Sequence, residues 1–553
     1  MLSPEPSPAS PVFPDTFNLA DYFLFDRLGE GLGPATALRF GAHAYTYAEV
    51  AERARRLAQA LRAYGVQPEQ RVLVVLPDLP AFAWTFFGTL AAGNVVAMGN
   101  PDVPTKDLEY LLEYTRAAAL VTVPRVASAL RYATERSPFL RVVFLAADAA
   151  TDGDPDALPE LPPSSAVSTV ALATLVATPQ QTNVSLPCTR RDDIAIWLFT
   201  SGSTGQSKAA VHTHRDFAFN TEVYALGTVG YRHTDVTVSV PRLYFGYATG
   251  TNLMFPFRVG ATVGLFSERP TPESLMAAIA RYKPTILTNV PTMMGKLLEH
   301  DAAARAHGER GLDLSGLRFC LSAGEALPPS LLERWTARFG GEVYDGIGSA
   351  EMFHIYVSNR PGDVKPGSLG RIVAGYEGRV LPNDAIGPGA EPVAFGDTGV
   401  LWVRGDSVAL GYWQDRDKSW ATFHGHWCRT GDLFRVDEQG YFWFVGRADE
   451  LIKVSGLWVS PLEVEECLLG HPAVEQVAVV GVELEGLMRT RAFVVVRQGH
   501  LANDSLASDL QTLAKQKLAK HKYPRDVVFV DDLPKNDRGK IDRKAIRASL
   551  AVR

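Results

Sequence analysis

The chain has 553 residues, 46% of them hydrophobic and 21% charged, which excludes a wholly disordered or collagen-like polymer and fits a globular enzyme. That length predicts two or three domains. A net charge of −6 argues against bulk electrostatic binding of nucleic acid.

In chain order, the first fifteen residues hold five prolines and neither Lys nor Arg, the opposite of a secretory signal's basic start. Thr46 to Tyr64 places apolar residues at helical spacing behind a threonine, which predicts a helix capped by Thr46. RVLVVLP (71–77) reads as a buried strand, Ala81 to Ala92 as a helix ended by Gly93, and VVAM after it as a strand. Alternation of this kind predicts a parallel or mixed sheet. Between Ala146 and Pro163 the chain turns acidic and rich in Ala and Pro, which reads as an exposed connection, either a domain boundary or a long loop. Strand and helix signals resume in TVGLFS (262–267), SLMAAIARY, TILTNVP (285–291) and LRFCLSAG (317–324). From Gly399 short strands and turns take over, as in GVLWVRG and GYFWFVGR. The last hundred residues mix strands (VAVVGV, AFVVVR, DVVFV) with helices near Pro461 to Leu469 and Leu506 to Lys520, and no internal repeat is visible.

Cys188, Cys320, Cys428 and Cys467 stand far apart with no CxxC pair, so neither a zinc site nor a disulfide framework is suggested. No uncharged apolar run approaches the roughly 18 to 20 residues of a membrane helix. A cytoplasmic protein with no membrane partner and no nucleic-acid partner is the expectation. Lys515 to Arg553 carries twelve Lys/Arg against five Asp, a basic patch that is either a solvated face or an attractor for a polyanionic ligand.

The most informative stretch is IAIWLFTSGSTGQSK, a strand running into a loop of small, hydroxylic and glycine residues that ends on Lys208. Such a loop lets backbone N–H groups, the hydroxyls of Thr200, Ser201, Ser203 and Thr204, and one cation close around phosphate oxygens, although a plain flexible turn has the same composition. A Walker loop is excluded, because Ser207 precedes the lysine and a strand-like AAVH follows it.

This loop resembles the TSG(S/T)TGxPKG motif of the adenylate-forming superfamily of acyl-CoA ligases, luciferases and adenylation domains, with Ser207 for the proline and Ala209 for the last glycine. The other motifs of that superfamily follow in order: SAGEALP (322–328), DGIGSAE (345–351), GYW (411–413), TGD (430–432), GRADELIKVSGLWVSPLEVE (446–465) and PKNDRGK (534–540). The resemblance implies an α/β protein with a large N-terminal domain of mixed βα layers and a small β subdomain, residues 1–448, and a small mobile α+β lid, residues 449–553. It implies ATP, Mg²⁺ and coenzyme A as cofactors. Condensing a carboxylate with ATP brings anion to anion, so charge on the α-phosphate must be neutralised as pyrophosphate leaves. By resemblance Glu351 contacts the metal and Lys540 bridges carboxylate and phosphate. Gly324, Glu325 and Ala326 form a wall for adenine, Asp345, followed by Gly346, stands where relatives usually carry Asn for the adenine amine, Asp432 meets the ribose, and Arg447 can reach the same sugar or phosphate. Ala350 replaces the usual threonine, and Ser349 or the loop hydroxyls are left to compensate. Asp449 is the expected hinge, Lys453 serves the thioester step, and Gly456 admits the pantetheine arm of coenzyme A.

An α-amino acid substrate would need a buried acid for its ammonium, yet the relevant stretch reads PRLYFGYATGT, with no acid. It resembles benzoate and aminobenzoate CoA ligases, and the match implies that Gly246, Tyr247, Gly324, His354 and Ile355 line the acyl site. Gly246 stands where benzoate ligases commonly have alanine, which predicts room for a small ring substituent such as an ortho-amino group. The expected reaction is therefore ATP-dependent activation of a small aromatic carboxylate followed by thioester formation with coenzyme A. A carrier-protein phosphopantetheine is the alternative acceptor, and oligomeric state is not legible.

Overall fold

The computed structural model describes residues 10–161, 167–177, 186–201, 206–454, 457–484, 487–535 and 541–550. The chain divides into two compact units, one built from Met1–Gly378 and Val403–Cys428, the other from Arg379–Trp402 and Arg429–Arg553. Among the described residues no helix is long and apolar enough to cross a membrane.

Two mixed sheets organise the first unit. The eight-stranded sheet runs, in spatial order, through strands starting at residues 411, 207, 194, 95, 71, 119, 142 and 168. Its strands from 194 to 168 in that order are parallel to one another, while Ser207–Thr213 folds back antiparallel on Ile194–Ser201. The nine-stranded sheet carries a parallel run of Val236–Ser239, Ile286–Asn289, Phe319–Ala323 and Glu342–Gly348, followed by antiparallel Ile355–Ser358. Near-continuous apolar runs such as Arg71–Val75 are the pattern expected of strands covered on both faces.

Local sequence explains the helices that cover these sheets. Helix Tyr47–Ala63 begins at Thr46, whose hydroxyl accepts from the Glu49 N–H at 3.2 Å while Glu49 accepts from the Thr46 N–H at 2.7 Å, a complete capping box. Helix Pro80–Ala91 is apolar on every side and buried at every position, as its composition requires. It approaches Tyr47–Ala63 so closely at Gly88 that a Cβ there would lie 2.6 Å from the Ala54 carbonyl oxygen.

The acidic, Pro-rich stretch after Ala146 is neither a domain boundary nor a wholly exposed connection. It lies inside the first unit, and Ala146, Ala147 and Thr151 are buried. Its polar groups find remote partners: Asp156 pairs with Arg53 at 2.6 Å and accepts from the Tyr45 hydroxyl at 3.0 Å, while the Thr151 N–H donates to Glu268 at 2.9 Å.

In the second unit, Val474–Leu484, Leu487–Val496 and Asp526–Phe529 form a three-stranded sheet. Its side chains alternate in the two-residue period of a strand. Val477 and Val479 pack with Val464, Leu468 and Leu510 of helices Pro461–Leu469 and Asp504–Lys517, whereas Ala478 and Val480 pack with Leu533 and Ile546.

Candidate active site

The phosphate-loop motif sits at the end of an antiparallel hairpin. Thr200 lies directly opposite Lys208 and Ser201 opposite Ser207. Ser203 and Thr204 lie outside the described residues, as does the side chain of Ser201. The Lys208 ammonium lies 3.5 Å from the centroid of the Tyr412 ring, a cation–π contact that fixes where this cation stands.

Tyr412 in turn reaches the metal-binding candidate. Its hydroxyl donates to Glu351 Oε1 at 2.6 Å, and the second carboxylate oxygen of Glu351 has no protein partner among the described residues. Burial, followed by the nearby Glu351 charge, pushes the Tyr412 hydroxyl pKa far up, so the phenol stays a donor. Glu351 belongs to the six-residue loop between Glu342–Gly348 and Ile355–Ser358, which are antiparallel. Ala350–Met352 forms a 3₁₀ turn there. Phe353 then adopts φ +67° and ψ −59°, and the His354 N–H donates to the Met352 carbonyl at 2.9 Å, a γ-turn of the rare positive-φ kind. Backbone strain of this sort costs roughly 1–3 kcal/mol and needs surrounding structure to hold it. Here Phe353 is buried with its ring centroid 4.1 Å from that of Phe217. Gly348 faces the turn, and a Cβ there would lie 2.4 Å from the His354 carbonyl oxygen. The Ser349 hydroxyl is buried without a protein partner among the described residues, a free hydroxyl beside the position where Ala350 lacks one.

The tight turn brings the acyl-site candidates beside the acid. His354 Nε2–H donates to the Tyr247 carbonyl at 3.0 Å, and the two rings are 5.2 Å apart. Because a carbonyl only accepts, the proton of the neutral ring is on Nε2 and Nδ1 carries a lone pair. Burial drives the His354 pKa down to about 3, so the ring is neutral. His354 Nδ1 and the Tyr247 hydroxyl are both buried with no protein partner among the described residues. Tyr224, Phe255 and Phe353 surround the imidazole at 5.5, 4.7 and 5.3 Å between centroids. Gly250 makes this packing possible, since a Cβ there would lie 2.5 Å from the His354 ring. Gly246 opens helix Gly246–Thr249, and Ile355 opens the strand after the turn. An alanine methyl at Gly246 would meet the Leu198 δ-carbons at 3.3 and 3.4 Å and the Phe353 carbonyl at 3.5 Å. The volume that a methyl would occupy is therefore bordered by Leu198 and the Phe353 carbonyl.

The adenine-wall candidates stand at the carboxyl ends of neighbouring parallel strands, the place where open α/β sheets bind ligands. Ser322 pairs with Asp345 and Ala323 with Gly346, and Gly324, Glu325 and Ala326 follow directly. The Glu325 carboxylate is engaged, accepting from the Thr292 N–H at 3.1 Å and hydroxyl at 2.7 Å at the start of helix Pro291–Ala306. Asp345 is buried, its Oδ1 has no protein partner among the described residues, and burial raises its pKa to about 7.

The second unit holds its own cluster. Asp432 and Arg447 are register partners joined at 2.9 Å, and Arg447 also pairs with Asp449 at 3.2 Å. Burial works against the Arg447 charge, but the two carboxylates outweigh it and hold its pKa above the usual value. Lys453 lies in a hairpin opposite Trp458, with its ammonium 5.4 Å from the indole. Gly456 and Lys540 lie outside the described residues.

Motif reading did not single out Tyr412, Leu198, Gly250 or Tyr224. The GYW motif contains Tyr412 but says nothing of its partner, and no spacing signal marks the others.

A hairpin carrying Lys208, an acid held by a tyrosine, and the candidate adenine-wall residues at parallel strand ends are the arrangement expected of a nucleotide-dependent enzyme. The chain belongs to the AMP-binding enzyme family, whose model matches residues 25–413, with the model of the family's C-terminal domain matching residues 463–540. It is 39% identical over 545 residues to a benzoate–CoA ligase of Thauera aromatica, covering 98% of each chain. Among solved structures it resembles the anthranilate CoA ligase AuaEII in complex with anthranoyl-AMP, at a TM-score of 0.86 and 32% identity over 98% of this chain and 99% of that one. A benzoate CoA ligase from Burkholderia xenovorans LB400 matches at a TM-score of 0.81 and 38% identity, over 96% and 100%.

Proposed function

We propose that the protein is an aryl-CoA ligase acting on benzoate or 2-aminobenzoate. The carboxylate oxygen attacks the α-phosphorus of ATP and the bond to pyrophosphate breaks. The thiolate of coenzyme A then attacks the acyl carbon of the bound adenylate, and AMP leaves. The observation that carries this reading is a buried aromatic cluster, Tyr247 against His354 at 5.2 Å between ring centroids, with His354 three residues from Glu351. The rings exclude water and accept a flat aryl group. A neutral imidazole with an unpartnered acceptor nitrogen suits a ring substituent that donates a hydrogen bond, such as an ortho-amine.

Within this reading Glu351 is the metal-contacting acid. A carboxylate with one oxygen held by Tyr412 and the other without a protein partner among the described residues fits Mg²⁺, which takes one or two carboxylates and fills its shell with phosphate oxygens and water. Bound there, the metal would supply charge neutralisation at the phosphates. Thr200, Ser201, Ser203, Thr204 and Lys208 hold the phosphates, Gly324 to Ala326 with Asp345 and Gly346 hold adenine, and Asp432 with Arg447 holds ribose. Residues 449–553 form a lid turning at Asp449, whose side chain is 62% exposed and pairs with Arg447. The lid presents Lys540 for adenylation and the Lys453 and Gly456 strand for thioester formation. One lysine cannot serve both halves, so Lys540→Ala slows adenylate formation far more than thiolysis of supplied acyl-adenylate.

The test is AMP release from benzoate, 2-aminobenzoate, 2-hydroxybenzoate and a medium-chain fatty acid, each with ATP and with either coenzyme A or a phosphopantetheinylated carrier protein. Turnover of the aryl acids with coenzyme A is expected. Preference for the fatty acid refutes the aromatic pocket, and turnover with the carrier alone replaces coenzyme A as acceptor.

A further inference from the structure

His212 plays no part in the reaction as described, yet it is completely buried between the phosphate-loop strand and the Glu351 turn. It lies on Ser207–Thr213 four residues after Lys208, and in a strand the side chains at i, i+2 and i+4 share a face. Its Nε2–H donates to the Ala350 carbonyl at 2.7 Å, one residue before Glu351. Its Nδ1 edge lies 2.9 Å from Asp216 Oδ2. Asp216 is itself fixed, accepting from the Thr213 N–H at 3.0 Å and hydroxyl at 2.6 Å at the start of helix His214–Asn220. The imidazole is therefore clamped at both nitrogens and has one orientation.

One face of one strand thus grips the Glu351 turn twice. Lys208 lies on Tyr412, which donates to the Glu351 carboxylate, while His212 holds the peptide oxygen just before it. A third tie runs from the Ala409 N–H to the Glu351 carbonyl at 2.9 Å. Small displacements of the carboxylate would matter for Mg²⁺, which tolerates little distortion among its oxygen ligands, and the turn that carries Glu351 includes a strained residue at Phe353.

We propose that His212 is a positioning residue for the adenylation half-reaction, locking the Glu351 turn to the strand of Lys208 so that the carboxylate meets a nucleotide-bound divalent cation. The proposal rests on the reading of Glu351 as the metal-contacting acid, and the experiment separates the two. ATP binding is measured by calorimetry with and without Mg²⁺, in the absence of any carboxylic acid so that no turnover occurs, and the ratio of the two affinities gives the enhancement due to metal. Glu351→Gln is expected to abolish the enhancement. His212→Leu is expected to reduce it five- to tenfold while leaving metal-free ATP affinity and the KM for aromatic acid near wild type, and His212→Gln, whose amide can donate to the Ala350 carbonyl, is expected to recover most of it. A purely structural role would lower the unfolding temperature without moving this ratio. Should His212→Leu fail to fold, Asp216→Asn, which keeps the ring but loosens its far edge, is read in the same way. Loss of the enhancement in Glu351→Gln with wild-type behaviour in folded His212 or Asp216 variants overturns the proposal alone. An unchanged enhancement in Glu351→Gln overturns the metal reading and the proposal together.

Discussion

Tyr412→Phe isolates one interaction at the centre of the site. The substitution removes the hydroxyl that donates to Glu351 at 2.6 Å and keeps the ring that packs 5.2 Å from Phe423 and carries the Lys208 ammonium. A hydrogen bond to a charged group is worth about 1.5–3 kcal/mol. If that bond keeps the carboxylate oriented as charge builds on the α-phosphate, its loss slows adenylate formation by roughly 10- to 150-fold, at about 1.4 kcal/mol per factor of ten. Folding stability should fall by less, because the phenylalanine ring fills the same volume and water can reach the half-buried carboxylate. The assay is aryl-acid-dependent ATP–pyrophosphate exchange as a function of Mg²⁺, with thiolysis of supplied acyl-adenylate measured separately. A rate within twofold of wild type at every Mg²⁺ concentration, from a folded variant, would show that Glu351 needs no orienting partner and that the coupling between Lys208, Tyr412 and Glu351 is incidental.

Two further outcomes follow from the pocket and the nucleotide wall. Gly250→Ala places a methyl 2.5 Å from the His354 ring and 2.9 Å from Phe255, so the imidazole must move; overpacking of this kind costs about 1–3 kcal/mol, and a rise in the KM for aromatic acid without a rise in the KM for ATP is expected in steady-state kinetics. For Asp345, burial raises the folded-state pKa from 3.8 to about 7, so the neutral carboxyl is the form the fold prefers; its contribution is present below about pH 4 and is lost as pH rises through 7, by about 4 kcal/mol at most. Asp345→Asn should therefore gain stability relative to wild type as pH rises from 5 to 8 in chemical denaturation of the nucleotide-free protein, and parallel curves would refute the buried neutral carboxyl.

The elements were legible in the sequence where a local rule decides them. Thr46 with Glu49 announces a helix start because both halves of the capping box lie three residues apart, and strand alternation in Val477 to Val480 separates two packing faces without any knowledge of what covers them. Motif order likewise singled out Lys208, Glu351 and Asp432, since each lies in or beside a run of glycines and hydroxylic residues that is readable in the sequence. What the sequence could not supply is distance between segments. Tyr412 lies 61 residues from the acid it holds, His212 lies 138 from the carbonyl it holds, and Gly250 matters only because a histidine more than a hundred positions later rests on it. The Pro-rich stretch after Ala146 failed for the same reason: composition described its own polarity, while Arg53, Tyr45 and Glu268, which satisfy it, are remote in the chain. Gly246 depends on remote neighbours in the same way. A missing methyl predicts space only if its neighbours stay where they are, and the Leu198 side chain, on the strand that leads into the phosphate loop, borders the position where the methyl would be. Within the proposed function, a ring-substituent preference is expected to depend on polar atoms that lack a protein partner among the described residues, His354 Nδ1 and the Tyr247 hydroxyl, as well as on residue 246.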